Sequence, residues 1–300
     1  MSATAKSSAA HPLQTRALKP GFGVEILDLD IARAQEADLL GFDEACRAHP
    51  VVLVRNQPLG PEQLIQLARR LGRISPQHRT GPHPDHPGIS ILSNKKVNGK
   101  LVGVHGAGRG WHTDGTTYAK LGLTTLLYGV ECPPEGADTL IADTAAAFAA
   151  LPPARQRELE QIQVIHSRAA LMRRYSRYNV SEAELAAMPD IIHPAVLPSP
   201  IDGRKALFIT VGSLKGVVGM PEEEGTKLVL DLLAHASQER FVYPHKWRAG
   251  DVLIWNDLCT LHTATHYDDE NYIRLMHRIW VRPFDAVDTT VADQENVGDQ

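Results

Sequence analysis

Gly110-Trp111-His112-Thr113-Asp114-Gly115 sets an imidazole and a carboxylate two positions apart. In an extended chain, side chains at i and i+2 leave the same face. His112 and Asp114 can then grip one cation from one side. A third ligand has to come from far along the chain. His262, in Trp255-Asn256-Asp257-Leu258-Cys259-Thr260-Leu261-His262-Thr263-Ala264-Thr265, is the best-placed candidate. Two histidines and one carboxylate on one side of a metal, with the other side open, make the facial triad suited to non-haem Fe(II). Alone, an H-x-D is a weak sign. With 14 histidines and 35 acidic residues, chance matches are expected, and a hydrogen-bonded structural pair explains any one of them better. Residues further along have to decide.

Composition narrows the field first. The 300 residues suit one large domain or two small ones. Hydrophobic content of 43% and charged content of 22% are ordinary for a globular chain. A net charge of −4 offers no basic field for nucleic acid. Cys46, Cys132 and Cys259 are odd in number and lack a C-x-x-C, which argues against a disulfide framework and a thiolate zinc site. Residues 1–15 are polar, rich in Ala and Ser, and without the apolar centre of a signal peptide. No run approaches the roughly 18 apolar residues of a membrane span. The expectation is a soluble cytoplasmic protein with no membrane or nucleic-acid partner, a disordered start at 1–15 and a flexible tail at 285–300.

Between these ends the pattern is rich in strands. Gly21–Leu29 alternates and reads as a strand, Glu36–His49 has helical spacing, and Val51–Arg55 is a short β-branched run. Pro61–Leu71 reads as a helix with proline at its first position and Gly72 at its end. Ser75–Gly88 is a Pro-, Gly- and His-rich loop, Ile89–Asn94 a strand, and Asn98-Gly99 a hairpin turn. Leu121–Cys132 and Asp138–Asp143 read as strands, with Thr144 capping a helix to about Leu151 and a further helix over Pro153–Ile162. The basic segment Arg168, Arg173, Arg174, Arg177 reads as a solvated helix or a lid, within an insertion near 165–190. His193–Pro200, Ala206–Val211, Val252–Trp255 and Tyr272–Arg282 read as strands, and Pro221–Ser237 as an amphipathic helix. Short strands separated by turns, with a few helices added, favour a β-sandwich or open barrel in one domain over 16–284.

A facial triad leaves three metal positions for a chelating cosubstrate and O2. If the cosubstrate is an α-keto diacid, its far carboxylate needs a cationic partner, and a bidentate arginine fits. Tyr272-Ile273-Arg274-Leu275-Met276-His277-Arg278 supplies two arginines shortly after His262, with positions 274, 276, 278 and 280 on one strand face. His277 alternates away from that face. Asp257 reads as a turn residue, Trp111 and Trp255 as core or pocket wall, and Cys259 as a small buried apolar residue.

With these residues in view, the chain resembles the taurine dioxygenase and 2,4-dichlorophenoxyacetate dioxygenase (TauD/TfdA) family of Fe(II)/2-oxoglutarate enzymes. The likeness runs from about Gly21 to Pro283. It is strongest at Trp111–Asp114, at Gly136-Ala137-Asp138-Thr139-Leu140, and from Trp255 through Arg278. The separations of Thr139 from His112 and of Arg274 from His262 are close to the family's pattern. The resemblance implies a distorted double-stranded β-helix, or jelly roll, with His112, Asp114 and His262 as iron ligands. It implies Thr139 and Arg274 on the distal carboxylate of 2-oxoglutarate, and Arg278 reaching both cosubstrate and an anionic substrate. The implied reaction consumes O2 and 2-oxoglutarate, releases succinate and CO2, and hydroxylates a C–H, with cleavage where that carbon bears a heteroatom. Relatives of this kind form dimers or tetramers.

Departures from the taurine-specific pattern bear on the substrate. Gly108 stands where those enzymes have asparagine, Ser213 where they have an aromatic residue, and Gly115 where a bulkier residue is usual. Each change removes volume near the iron, which favours a larger anion: a sulfonate, sulfate ester, phosphonate or a carboxylate such as an aryloxyalkanoate. His78, Arg109, Ser213 and Arg278 are the candidate substrate residues. Two other readings of the same ligands are a zinc hydrolase, which has no use for Thr139, Arg274 and Arg278, and a metal- and 2-oxoglutarate-binding jelly roll without turnover.

Overall fold

The computed structural model describes residues 10–75, 81–174 and 180–282. Its largest sheet runs Thr15–Lys19, Phe22–Ile26, Val51–Val54, Val252–Asn256, Thr124–Glu131, Leu275–Arg282 and Arg73–Ile74, with Ser90–Ser93 also paired to Leu275–Arg282. Pairing is antiparallel throughout except between Phe22–Ile26 and Val51–Val54. A smaller sheet, Val242–His245, Thr139–Asp143 and Thr260–Ala264, lies opposite, so the expected jelly roll is what forms.

The unbroken apolar strands have a simple cause: the large sheet is covered on both faces. Val52, Val54, Leu126, Tyr128, Val252 and Ile254 pack outward against Phe42 of the helix Glu36–Ala48 and Leu64, Leu67 and Ala68 of the helix Pro61–Leu71. Their neighbours Val51, Leu53, Leu127, Leu253 and Trp255 turn inward, where they meet Ile141 of the small sheet and Trp247. A second core gathers the long helix Glu222–Ala236, through Leu228, Val229, Leu232 and Leu233, onto Val164, Val217 and Leu261. At Asn98-Gly99 both residues have positive φ, 50° and 77°, as a two-residue hairpin turn requires.

Several expectations are corrected. Order begins before residue 16: the His11 amide donates to the Ala37 carbonyl, and Thr15 already belongs to a strand. The helix after Asp143 is capped by that residue, whose carboxylate accepts from the Ala146 amide at 2.8 Å, and Thr144 is the first helical residue. The single strand expected over His193–Pro200 is two, because the chain bends at the buried Ala195 and passes from one sheet to another: Asp190–Pro194 pairs with Gln163–Ser167, and Val196–Pro198 with Lys205–Leu207. The strand expected to reach Val211 ends at Leu207. Strands at Leu214–Val217 and Val242–His245 give no alternating signal; the latter contains Pro244, tolerable because this strand pairs on one side only. The expected insertion near 165–190 contains the helices Arg168–Arg174 and Glu182–Ala186, carried between paired strands. Arg177, residues 1–9 and the tail from 285 lie outside the described residues.

Burial makes two predictions. Leu53 is fully buried against the inner core and Leu27 is 52% exposed. Leu53→Ala should cost about 2–5 kcal/mol in urea unfolding, and Leu27→Ala no more than about 0.5 kcal/mol. His277 lies outside the pocket, against Tyr128 and His83, and burial lowers its pKa to about 4. The unfolded chain takes up this proton below about pH 6.5, the folded chain only near 4. Stability should therefore fall as pH drops through that window, by about 3 kcal/mol from this group, and not further below it. His277→Asn should flatten that part of the stability-versus-pH curve, and an unchanged slope would refute a ring held neutral.

Candidate metal centre

Two backbone hydrogen bonds build the site. The His112 amide donates to the His262 carbonyl at 3.0 Å, and the His262 amide returns one to the His112 carbonyl at 2.7 Å. Directly opposed residues of an antiparallel pair present their side chains on one face, and the two rings lie 4.1 Å apart, centre to centre. Asp114 joins them from two residues on. One ligand atom from each of His112, Asp114 and His262 lies within 4.8 Å of the others. Nε2 of His112 and Nε2 of His262 are each 3.9 Å from an Asp114 oxygen, Oδ1 and Oδ2 respectively. One ion bound at about 2.0–2.2 Å from each group spans such gaps.

The surroundings keep the donors available. Nδ1–H of His112 donates to the Gly110 carbonyl at 2.8 Å, which leaves the lone pair on Nε2. Burial, then the nearby His112 and Arg278, hold the His262 pKa well below the usual value, so that ring is neutral. Asp257 does more than turn the chain. It is 1% exposed and accepts from Thr125 Oγ1 at 2.7 Å, Trp255 Nε1 at 3.1 Å and the Asp114 amide at 3.2 Å. Its Oδ1 stands 3.8 Å from Nδ1 of His262. Burial and the adjacent Asp114 raise its pKa well above the carboxylate range.

Thr139 is buried in the small sheet opposite Ala264, and its hydroxyl accepts from Trp247 Nε1 at 2.9 Å. Arg274 is 8% exposed, yet among the described residues no carboxylate pairs with it and its Nε–H has no acceptor. A buried guanidinium without a counter-ion is costly. Together with the donor set of two imidazoles and a carboxylate, it fits a site for a divalent metal and a diacid. Arg274 lines a cleft with Asn94, Ala107, Arg109, Thr265 and Tyr267. Arg278 lies 3.9 Å from Asp114 Oδ2 with its guanidinium 4.1 Å over the Trp280 ring.

The remaining candidates separate. Arg109 is half-exposed, 3.4 Å from Asp269, on the Arg274 cleft. His78 lies outside the described residues. Ser213 is buried, and its hydroxyl is engaged by Thr116 Oγ1 at 2.8 Å and His166 Nδ1 at 3.1 Å. The volume expected at Gly115 is absent too: with φ at +84°, a Cβ there would lie 2.8 Å from Leu123 Cδ1, so Leu123 fills the space. Gly108 alone of the three faces open room, with only Ala264 at 3.9 Å. Reading the sequence missed Trp247 and Trp280, whose indoles bond Thr139 and Asp114; for Trp280 the signal was its place on the Arg278 face.

Residues 14–280 match the profile of the family described as taurine catabolism dioxygenase TauD, TfdA family. The chain belongs to this family. It is 32% identical over 265 residues to the alpha-ketoglutarate-dependent 2,4-dichlorophenoxyacetate dioxygenase of Cupriavidus pinatubonensis, covering 84% of this chain and 91% of that one. To pentalenolactone F synthase of Streptomyces arenae it is 30% identical, over 69% of this chain and 74% of the relative. Among solved structures, AAD-2 in complex with Mn(II) and N-oxalylglycine superposes with a TM-score of 0.79 at 23% identity, covering 92% of this chain and 99% of that one. The fold is thus the family's jelly roll, and the chain is an Fe(II)- and 2-oxoglutarate-dependent dioxygenase. The zinc-hydrolase and non-catalytic readings are set aside.

Divalent metal should stabilise the protein by about 2.7 kcal/mol when present at 100 times its Kd. His262→Ala should abolish that shift in thermal unfolding with Mn(II), and a full shift in the variant would exclude residue 262 as a ligand.

Proposed function

We propose that this dioxygenase oxidises a small organic anion of the aryloxyalkanoate type, with Fe(II) on His112, Asp114 and His262 and 2-oxoglutarate on Thr139 and Arg274. One observation carries the site assignment: three convergent ligand atoms lie within 4.8 Å, on a chain whose buried Arg274 has no carboxylate partner among the described residues. The substrate class is supported by curated relatives named for 2,4-dichlorophenoxyacetate and for (S)-phenoxypropionate. Arg278 supports it as well, since this guanidinium beside the triad has an Nε–H without an acceptor. Three unpaired cysteines agree with a reducing, cytoplasmic setting, and no helix of the described residues is long and apolar enough to cross a membrane.

When bound, iron and 2-oxoglutarate supply the activation of O2, with the cosubstrate leaving as succinate and CO2. The protein's part is position and charge. His112 is oriented through the Gly110 carbonyl and Asp114 through Trp280. Arg274 meets the far carboxylate of the diacid through charge-assisted bonds, and Thr139 adds a hydroxyl held in place by Trp247. Arg278 draws the substrate's anion to the side of the triad, so the carbon next to it is the one presented. Hydroxylation of a carbon that carries an ether oxygen gives a hemiacetal, which collapses to a carbonyl compound and releases the phenol.

Succinate formation is the test. Incubated with Fe(II), 2-oxoglutarate and O2, the protein should form succinate together with a phenol from 2,4-dichlorophenoxyacetate or phenoxypropionate, and far less with taurine. A preference for taurine would overturn the substrate class. Arg274→Gln should weaken 2-oxoglutarate binding by about 2–5 kcal/mol, as expected for breaking a buried charged pair, and leave Mn(II) affinity unchanged in calorimetry.

A further inference from the structure

The carboxylate of Asp114 has one hydrogen-bond donor among the described side chains, and it comes from the other end of the site. Trp280 Nε1–H donates to Oδ2 at 2.8 Å across 166 residues. Trp280 stands on the strand Leu275–Arg282, opposite Thr125 of Thr124–Glu131, between the fully buried Ile279 and Val281. Those two apolar neighbours face the outer core, so a shift in register would expose them, and the indole is held facing inward.

The same ring has a second contact. The Arg278 guanidinium lies 4.1 Å over its centre, with Nη1 3.9 Å from the Asp114 Oδ2 that the indole bonds. An arginine at that distance from a carboxylate is about 1 Å short of an ion pair of ordinary length. Such a pair would turn Asp114 away from the histidines and neutralise the cation that receives the substrate.

We infer that Trp280 is a positioning residue for the metal centre, its N–H fixing Oδ2 of Asp114 and its ring face holding Arg278 off that carboxylate. This keeps the carboxylate beside the two imidazoles and the guanidinium free for an anion. The inference rests on the reading of His112, Asp114 and His262 as metal ligands.

Mn(II) binding by the apoprotein, measured by calorimetry, tests it without turnover. Trp280→Phe keeps a ring under Arg278 and removes the N–H. Mn(II) affinity should fall about ten- to a hundred-fold, the range seen for partners of metal ligands. With its N–H partner gone, Oδ2 is open to Arg278, so adding Arg278→Met to that variant should raise Mn(II) affinity by more than Arg278→Met alone raises it in the wild-type protein; a merely structural role for the indole would give the same gain in both backgrounds. Should Trp280→Phe fail to fold, 3-benzothienylalanine at position 280 keeps the ring size and exchanges N–H for sulfur. Affinity within twofold of wild type in a folded variant overturns the role of Trp280, as does an Arg278→Met gain no larger in the Trp280→Phe background than in wild type. A wild-type protein that binds no Mn(II) overturns the metal-site reading and this inference with it.

Discussion

The reciprocal backbone hydrogen bonds between His112 and His262 are the constraint on which this molecule depends. Without that antiparallel register, two imidazoles 150 positions apart in the chain have no reason to share a face. Asp114 joins them from a bend two residues on. The strand Thr260–Ala264 pairs in turn with Thr139–Asp143, where Thr139 lies opposite Ala264. One small sheet thereby locates His262, to which His112 is bridged, and the Thr139 hydroxyl.

The other arm of the site comes from the large sheet. Leu275–Arg282 carries Arg278 and Trp280 inward while Ile279 and Val281 anchor its outer face. Asp257 ties the arms together, since it reaches Thr125 of the large sheet, the Asp114 amide and the neighbourhood of His262. Among the described residues, the Nε–H groups of two buried guanidiniums, Arg274 and Arg278, find no acceptor. Unsatisfied buried donors oppose stability; beside Asp114 at Arg278, and in its cleft at Arg274, a bound anion would supply the missing partner.

Local chemistry also limits how far spacing arguments reach. Glycine at 115 and serine at 213 suggested a widened pocket, yet Leu123 occupies the first place and a Thr116–Ser213–His166 network the second. A small side chain in sequence becomes free volume only if nothing else moves in.

Much of this protein is legible in its residues. The apolar runs at Val51–Val54 and Val252–Asn256, the proline-started helix at Pro61–Leu71 and the Asn98-Gly99 turn follow from propensity and pattern, which act over a few residues. The H-x-D, the distant histidine and the paired arginines point to the chemistry jointly, because each is weak alone and few other arrangements require all three. Tertiary structure alone decided what lies between them: that Ala195 divides one apparent strand, that Asp257 sits beneath the triad, that the Trp280 indole holds the Asp114 carboxylate. Those contacts join residues scores of positions apart and depend on register and on side-chain direction, which periodicity in the sequence does not encode.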